Sequence, residues 1–226
     1  VDKPIGRRVL LGILGVGAVG IVTGSKIQNG LDAVLRPLQG TEVGGLIPGS
    51  GGFTLYTITS GFPAAPPDYH LNVGGLVSRP LSLTVDDLRA MPATHLDHDF
   101  QCVTGWRVDG VRWIGVSLDE LARQAGISDK ATGFHFTSFD GEYTETLTVA
   151  QARQSGAIVA YSMLGAPVTR EHGGPIRLYV PSMFGYKSIK WLSGIQAVTT
   201  IEEGYWEQNG YPSDAWISGH PPTTAA

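Results

Sequence analysis

The 226-residue chain has a formal net charge of −4, with 42% hydrophobic and 16% charged residues, 31 Gly, 14 Pro and a single Cys. Low charge with abundant Gly and Pro excludes a helical bundle or a disordered chain and fits a strand-rich globule with many tight turns. One cysteine excludes an internal disulfide framework and a multi-cysteine zinc site. The acidic body left after residues 1–36 offers no basic stripe for nucleic acid.

Those first 36 residues carry five basic side chains against two acidic ones. Arg7 and Arg8 precede an apolar, Gly-rich run over residues 9–23, closed by Lys26. The run is short of the roughly 20 apolar residues of a full span, and suits a signal core or the end of a membrane anchor. Arg-Arg-Val-Leu-Leu also looks like a twin-arginine export signal. Without an Ala-x-Ala cleavage site, an uncleaved anchor is the expected form. Residues 37–52 read as a linker, and residues 53–226 as one domain.

Within that domain a Pro-rich loop leads into a strand near residues 69–77. "SLTVDDLRAMP" is a short helix, with Thr84 as cap, Asp86 and Asp87 in its first turn and Pro92 past its end. A strand is expected over 94–102. "VRWIGVSLDELARQAG" predicts a strand and then a helix, with Ser117 and Glu120 as a capping box and Gly126 as its stop. "GFHFTSFDGEYTETLT" alternates around Asp140-Gly141 and predicts a hairpin. A third helix follows Thr148, and "AIVAYSMLG", "PIRLYVPSM" and "IKWLSGIQAVTTIE" read as strands. The fold class is α+β: mixed sheets with short helices between strands.

The lone Cys102 has three readings: a buried small hydrophobe, a nucleophile needing a positioned His such as His98 or His172, or a thiolate metal ligand. Six histidines form no HExxH pair, and His95 and His98 lie in a stretch predicted as extended, which makes a zinc site there improbable.

"CVTGW" at 102–106, "VRWIGVSLDEL" and "HGGPIRLYVPSMFGYKSIKWLSGI" at 172–195 together resemble the sulfite-oxidase-type molybdopterin oxidoreductases. The likeness is nearest to the bacterial branch that includes the periplasmic methionine-sulfoxide reductases. It covers roughly residues 53–216. The resemblance implies a molybdopterin-binding fold and molybdenum held by one molybdopterin, with Cys102 as the protein's metal ligand. It implies His172, Arg177, Tyr186, Lys187, Ser188 and Lys190 as cofactor-binding residues, with Thr144 and Glu145 from a looser match. Cations suit the pterin phosphate, and Gly173, Gly174 and Gly185 are expected to let the backbone approach it. By the same resemblance Arg107 and Tyr211 face the substrate, and Trp106 walls the pocket.

Two departures bear on the substrate. Where sulfite oxidases carry an Arg-x-His pair, this chain has Thr57, Ile58 and Thr59. The Asn-rich motif of methionine-sulfoxide reductases is also missing. The resemblance therefore implies two-electron oxygen-atom transfer, favouring reduction of a small-molecule or peptide S- or N-oxide over sulfite oxidation. A single cysteine leaves no second redox centre of the multi-thiolate kind, so a membrane haem or quinone-linked partner outside the cytoplasm is expected. The alternative is a cofactor-free binding domain with Cys102 merely buried.

Overall fold

The computed structural model describes residues 52–59 and 61–222. The expected export or anchor segment, and nearly all of the linker, lie outside the described residues. Among the described residues no helix is long and apolar enough to cross a membrane.

Among the described residues ten strands form two sheets. β1 (Leu71–Gly75), β2 (Leu81–Leu83), β5 (Gly133–Ser138), β6 (Thr144–Thr148) and β10 (Leu192–Val198) make the first, in the order β2-β1-β10-β5-β6. β1 and β10 run parallel, and the other pairs in this sheet are antiparallel. β3 (Thr94–Gln101), β4 (Arg107–Ser117), β7 (Ile158–Met163) and β8 (Ala166–Pro167) make the second, and β9 (Arg177–Tyr179) also pairs with β7. The segment between β9 and β10 thus carries the chain from one sheet to the other. One mixed and one antiparallel sheet, with short helices, match the expected α+β class.

Three short helices start where their caps predict. α1 (Val85–Ala90) begins at Thr84, whose hydroxyl accepts from Asp87 N while Asp87 accepts from Thr84 N. α3 (Val149–Ser155) has the same reciprocal box between Thr148 and Gln151. Each such cap satisfies N–H groups that the first turn leaves unpaired, a contribution of about 1 kcal/mol. At α2 (Leu118–Ala125) only half of the predicted box forms. Ser117 accepts from Glu120 N at 3.1 Å, but the Glu120 carboxylate turns to Arg123 and Gln124. A charged donor four residues or fewer away outcompetes the neutral N–H of the cap residue. Gly126 and Gly156 end α2 and α3 in the left-handed region, at φ 66° and 67°.

The main core joins Leu71, Val73, Phe134, Phe136, Leu147 and Ile195 of the first sheet to Leu88, Leu118 and Leu121 of the helices. A second cluster is aromatic: Phe100, Trp106, Trp113 and Tyr179, with Trp113 and Tyr179 stacked at 4.2 Å. It supports the β3–β4 hairpin, whose loop carries Cys102.

Candidate active site

Residues 102–106 turn the chain from β3 into β4. Cys102 N–H donates to the Trp106 carbonyl at 2.9 Å, and Gly105 N–H to the Cys102 carbonyl at 3.1 Å. Gly105 sits at φ +103°, where a side chain is strained. The turn presents Cys102 to a cavity of about 160 Å³ walled largely by aromatic rings, among them Phe53, Tyr56, Trp106, Trp191, Trp206 and Tyr211. Burial pushes the Cys102 thiol up, against hydrogen bonds from Thr104 and Val103 and the nearby Lys190 charge. The Thr104 hydroxyl donates to Sγ at 3.2 Å.

Opposite the thiol stand two cations. Arg177, only 2% exposed, donates to the His172 carbonyl at 2.7 Å and the Ser188 carbonyl at 2.8 Å, and lies 5.5 Å from the Phe100 ring centre. Burial lowers its pKa to about 10. Lys190 donates to the Tyr56 and Glu171 carbonyls, both at 3.0 Å; burial first, then Arg177, lowers its pKa to about 7. Among the described residues neither cation has a carboxylate within ion-pair distance. His172 lines the same cavity; burial, Arg177 and Lys190 depress its pKa in that order. Ser188 accepts from Val180 N–H at 3.0 Å, leaving its own proton to donate.

Tyr186 and Tyr211 complete one side, with ring centres 5.3 Å apart. The Tyr186 hydroxyl donates to the Pro212 carbonyl at 2.6 Å. Burial raises the Tyr211 pKa, and Cys102 adds to that rise, so this phenol stays protonated as a donor.

Four of the expected site residues lie elsewhere. Arg107 opens β4 outside the cavity lining, 2.6 Å from Asp109 and 3.9 Å from Asp99; the carboxylates of its own hairpin hold it there. Lys187 is turned into the interior, donating to Glu145 at 2.5 Å and Glu207 at 2.6 Å. Glu145 is consumed by that cluster, and Thr144 meets Tyr205 N–H through its carbonyl at 3.0 Å. None of the four lines the cavity. The three glycines are also hemmed in by the protein itself, and of them Gly185 lines the cavity. A Cβ on Gly173 would meet the Lys190 side chain at 2.6 Å, on Gly174 the Val168 carbonyl at 2.0 Å, and on Gly185 the Phe100 ring at 2.5 Å. They make room for the protein's own chain.

Sequence reasoning also missed several walls: Thr104, Tyr143, Asp140, Trp191, Trp206 and residues 53–56; Thr57 and Ile58, singled out for their lack of charge, do line the cavity. Trp191 and Tyr143 stood inside motifs already singled out, but an aromatic residue carries no signal of which side it faces.

The arrangement suits an anionic, metal-bearing group. Arg177 is buried and Lys190 partly buried, and among the described residues neither has a carboxylate counter-ion, which is costly unless an anion joins them. Among the described residues no group of three or more His, Cys, Asp or Glu is placed to hold a metal. A metal at Cys102 would therefore take its remaining ligands from a bound group. One mixed and one antiparallel sheet, with one thiol, Arg177 and Lys190 lining an aromatic-rich cavity, define a domain suited to an anionic cofactor.

The comparisons agree. Residues 59–206 match the family profile described as "Oxidoreductase molybdopterin binding domain". The chain is 37% identical over 151 residues to "Uncharacterized oxidoreductase YuiH" of Bacillus subtilis, covering 66% of this chain and 75% of that one. It is 30% identical to the mitochondrial sulfite oxidase of Rattus norvegicus, covering 67% of this chain but 34% of the oxidase. It is also 30% identical to YedZ1 of Azospira oryzae, provisionally named a protein-methionine-sulfoxide reductase subunit, covering 67% and 56%. The sulfane dehydrogenase SoxCD of Paracoccus pantotrophus shares the fold, with a TM-score of 0.56 at 23% identity over 62% of this chain and 41% of that one. The chain thus spans only about a third to just over half of the length of several relatives. It belongs to the sulfite-oxidase-type molybdopterin oxidoreductases, and its cofactor is molybdenum with molybdopterin.

Proposed function

We propose that this oxidoreductase reduces the oxide of a neutral sulfur or nitrogen compound. The observation that carries the reading is the single thiol sharing an aromatic-rich cavity with Arg177 and Lys190, neither of them paired with a carboxylate among the described residues. Cys102 would supply the protein's sulfur ligand to molybdenum, giving up its proton to do so. Arg177, Lys190, His172, Ser188 and Tyr186 would hold the anionic pterin through charge and hydrogen bonds. The bound cofactor supplies two-electron oxygen-atom transfer, and the protein supplies binding, orientation and electrostatics.

For an S-oxide, the S–O bond breaks, sulfur gains two electrons, and the oxygen leaves as water after taking up two protons. Tyr211 donates a hydrogen bond to the transferring oxygen, and the aromatic walls exclude bulk water. A small dianion such as sulfite needs several cations to offset its desolvation. Here the cavity's two cations serve the cofactor, Arg107 is held by Asp109, and Thr57 and Ile58 line the wall without charge.

The electrons come from a membrane haem or quinone-linked partner; that one relative is named as a subunit supports a partner chain, and no more than that. Arg7-Arg8 and the apolar run support export from the cytoplasm and anchoring through residues 1–36, with 37–52 as linker and 53–226 as the catalytic domain.

The test is the molybdenum content of the purified chain beside Cys102→Ser, followed by turnover of S-oxides, N-oxides and sulfite. About one metal per chain is expected, lost or spectroscopically altered in the variant, with S- or N-oxide reduction faster than sulfite oxidation. No molybdenum in chain made with an intact cofactor pathway would overturn the site. Faster sulfite oxidation would overturn the substrate.

A further inference from the structure

One buried charge cluster is left unused by the functional reading. Lys187 Nζ donates to Glu145 Oε1 at 2.5 Å, to Glu207 Oε1 at 2.6 Å and to the Thr146 carbonyl at 3.0 Å, with all three charged side chains 2% exposed or less. Their neighbours in sequence are cavity residues. Lys187 lies between Tyr186 and Ser188, Glu207 follows Trp206, and Glu145 stands two residues after Tyr143. The Tyr143 hydroxyl donates to the Tyr186 carbonyl, and Tyr205 N–H to the Thr144 carbonyl. The cluster therefore ties together three segments that carry cavity residues: β6 with Tyr143 just before it, the turn at 185–188, and residues 204–212 with Trp206 and Tyr211.

One ammonium neutralises one carboxylate. The second carboxylate, out of water, is better off protonated. Glu145 Oε2 and Glu207 Oε2 are both buried without a hydrogen-bond partner, so each has room for that proton. The other groups facing the cluster are Tyr143 and Tyr186, whose phenols burial keeps neutral, and Arg177 at longer range.

We infer that Lys187, Glu145 and Glu207 form a proton-loaded latch that seats residues 204–212, and that loss of its proton releases Trp206 and Tyr211 from the cavity wall. All three are positioning residues. Burial raises the Glu145 pKa to about 8, with Lys187 opposing and Glu207 adding to the rise. Because the folded value lies above the ordinary one, the latch is complete in acid and is lost as pH climbs through 8. The latch rests on the functional reading only for its kinetic consequence.

The experiment is amide hydrogen exchange on the cofactor-loaded full chain at pH 7 and 9, corrected to protection factors, for wild type, Glu145→Gln and Glu207→Gln. Glutamine at either place keeps an acceptor for Lys187 and cannot ionise, and the second variant serves if the first fails to fold. In wild type, protection over 204–212 should fall about tenfold from pH 7 to 9, one unit beyond the titration; in the variants it should hold. With dimethyl sulfoxide as substrate and reduced methyl viologen as donor, KM should rise up to about tenfold over the same range at unchanged kcat, in wild type alone. Equal protection at both pH values in wild type, or the same fall in the variants, overturns the latch. Lost protection with an unmoved KM overturns its link to the cavity wall. Exchange needs no turnover, so a titrating segment in a chain that leaves dimethyl sulfoxide untouched upholds the latch and counts against the functional reading.

Discussion

Two lysines three residues apart have opposite surroundings. Lys187 is sealed in the interior between two carboxylates, whereas Lys190 faces the cavity with carbonyl oxygens and the Phe62 and Trp191 rings as partners. A charge with counter-ions already in place belongs to the scaffold. A charge held without one is held for something that binds. The same test separates Arg177, buried and lacking a carboxylate among the described residues, from Arg107, which two aspartates hold on the hairpin.

The largest effect should come from breaking the satisfied lysine. Lys187→Met leaves two carboxylates buried without their cation, and should cost about 3–5 kcal/mol and lower Tm by roughly 10 °C. Lys190→Met in cofactor-free chain removes an uncompensated charge, so Tm should hold or rise while cofactor uptake falls. Calorimetry of both variants with and without cofactor checks the contrast; equal losses in the two free chains would erase it.

Next is the close approach that shapes the cavity. Gly185→Ala drives a methyl group against the Phe100 ring, and should destabilise by about 1–3 kcal/mol in denaturant titration, with weaker cofactor retention. If Phe100 simply swings aside, both readings stay at wild-type values.

A smaller effect lies in pH. Lys190 sheds its proton near pH 7 in the folded cofactor-free chain, while the unfolded chain keeps it to about 10.5. Between those values the unfolded state binds more protons, so this group's contribution to stability rises with pH. The urea midpoint of wild type minus that of Lys190→Met should rise from pH 6.5 to 9, the opposing Glu145 titration being common to both. Bound anionic cofactor pushes the Lys190 pKa back up and should remove the rise in that difference.

Arg107→Ala should do least. Its pairs are partly exposed, so the change should fall within about 1 kcal/mol, and S-oxide reduction should proceed at nearly the wild-type kcat/KM. A large loss of turnover would return Arg107 to the substrate.

Much of the scaffold was legible before any coordinates. Thr84, Thr148 and Gly126 mark helix ends because capping is decided within four residues of chain, and strand alternation is equally local. The half-formed box at Ser117 failed for a local reason too, since Arg123 and Gln124 captured the Glu120 carboxylate. By itself the sequence determined the α+β class, the family and its cofactor, and the thiol at Cys102, through motifs long enough to be specific. Only the tertiary structure decided which lysine meets the cavity, which arginine is held elsewhere, and that Gly173, Gly174 and Gly185 accommodate the protein's own atoms. The chain from 180 to 191 is mostly irregular, so no period says which side a residue faces. Lys187 turns inward because its partners arrive from 42 residues earlier and 20 later, and only folding brings them to one place.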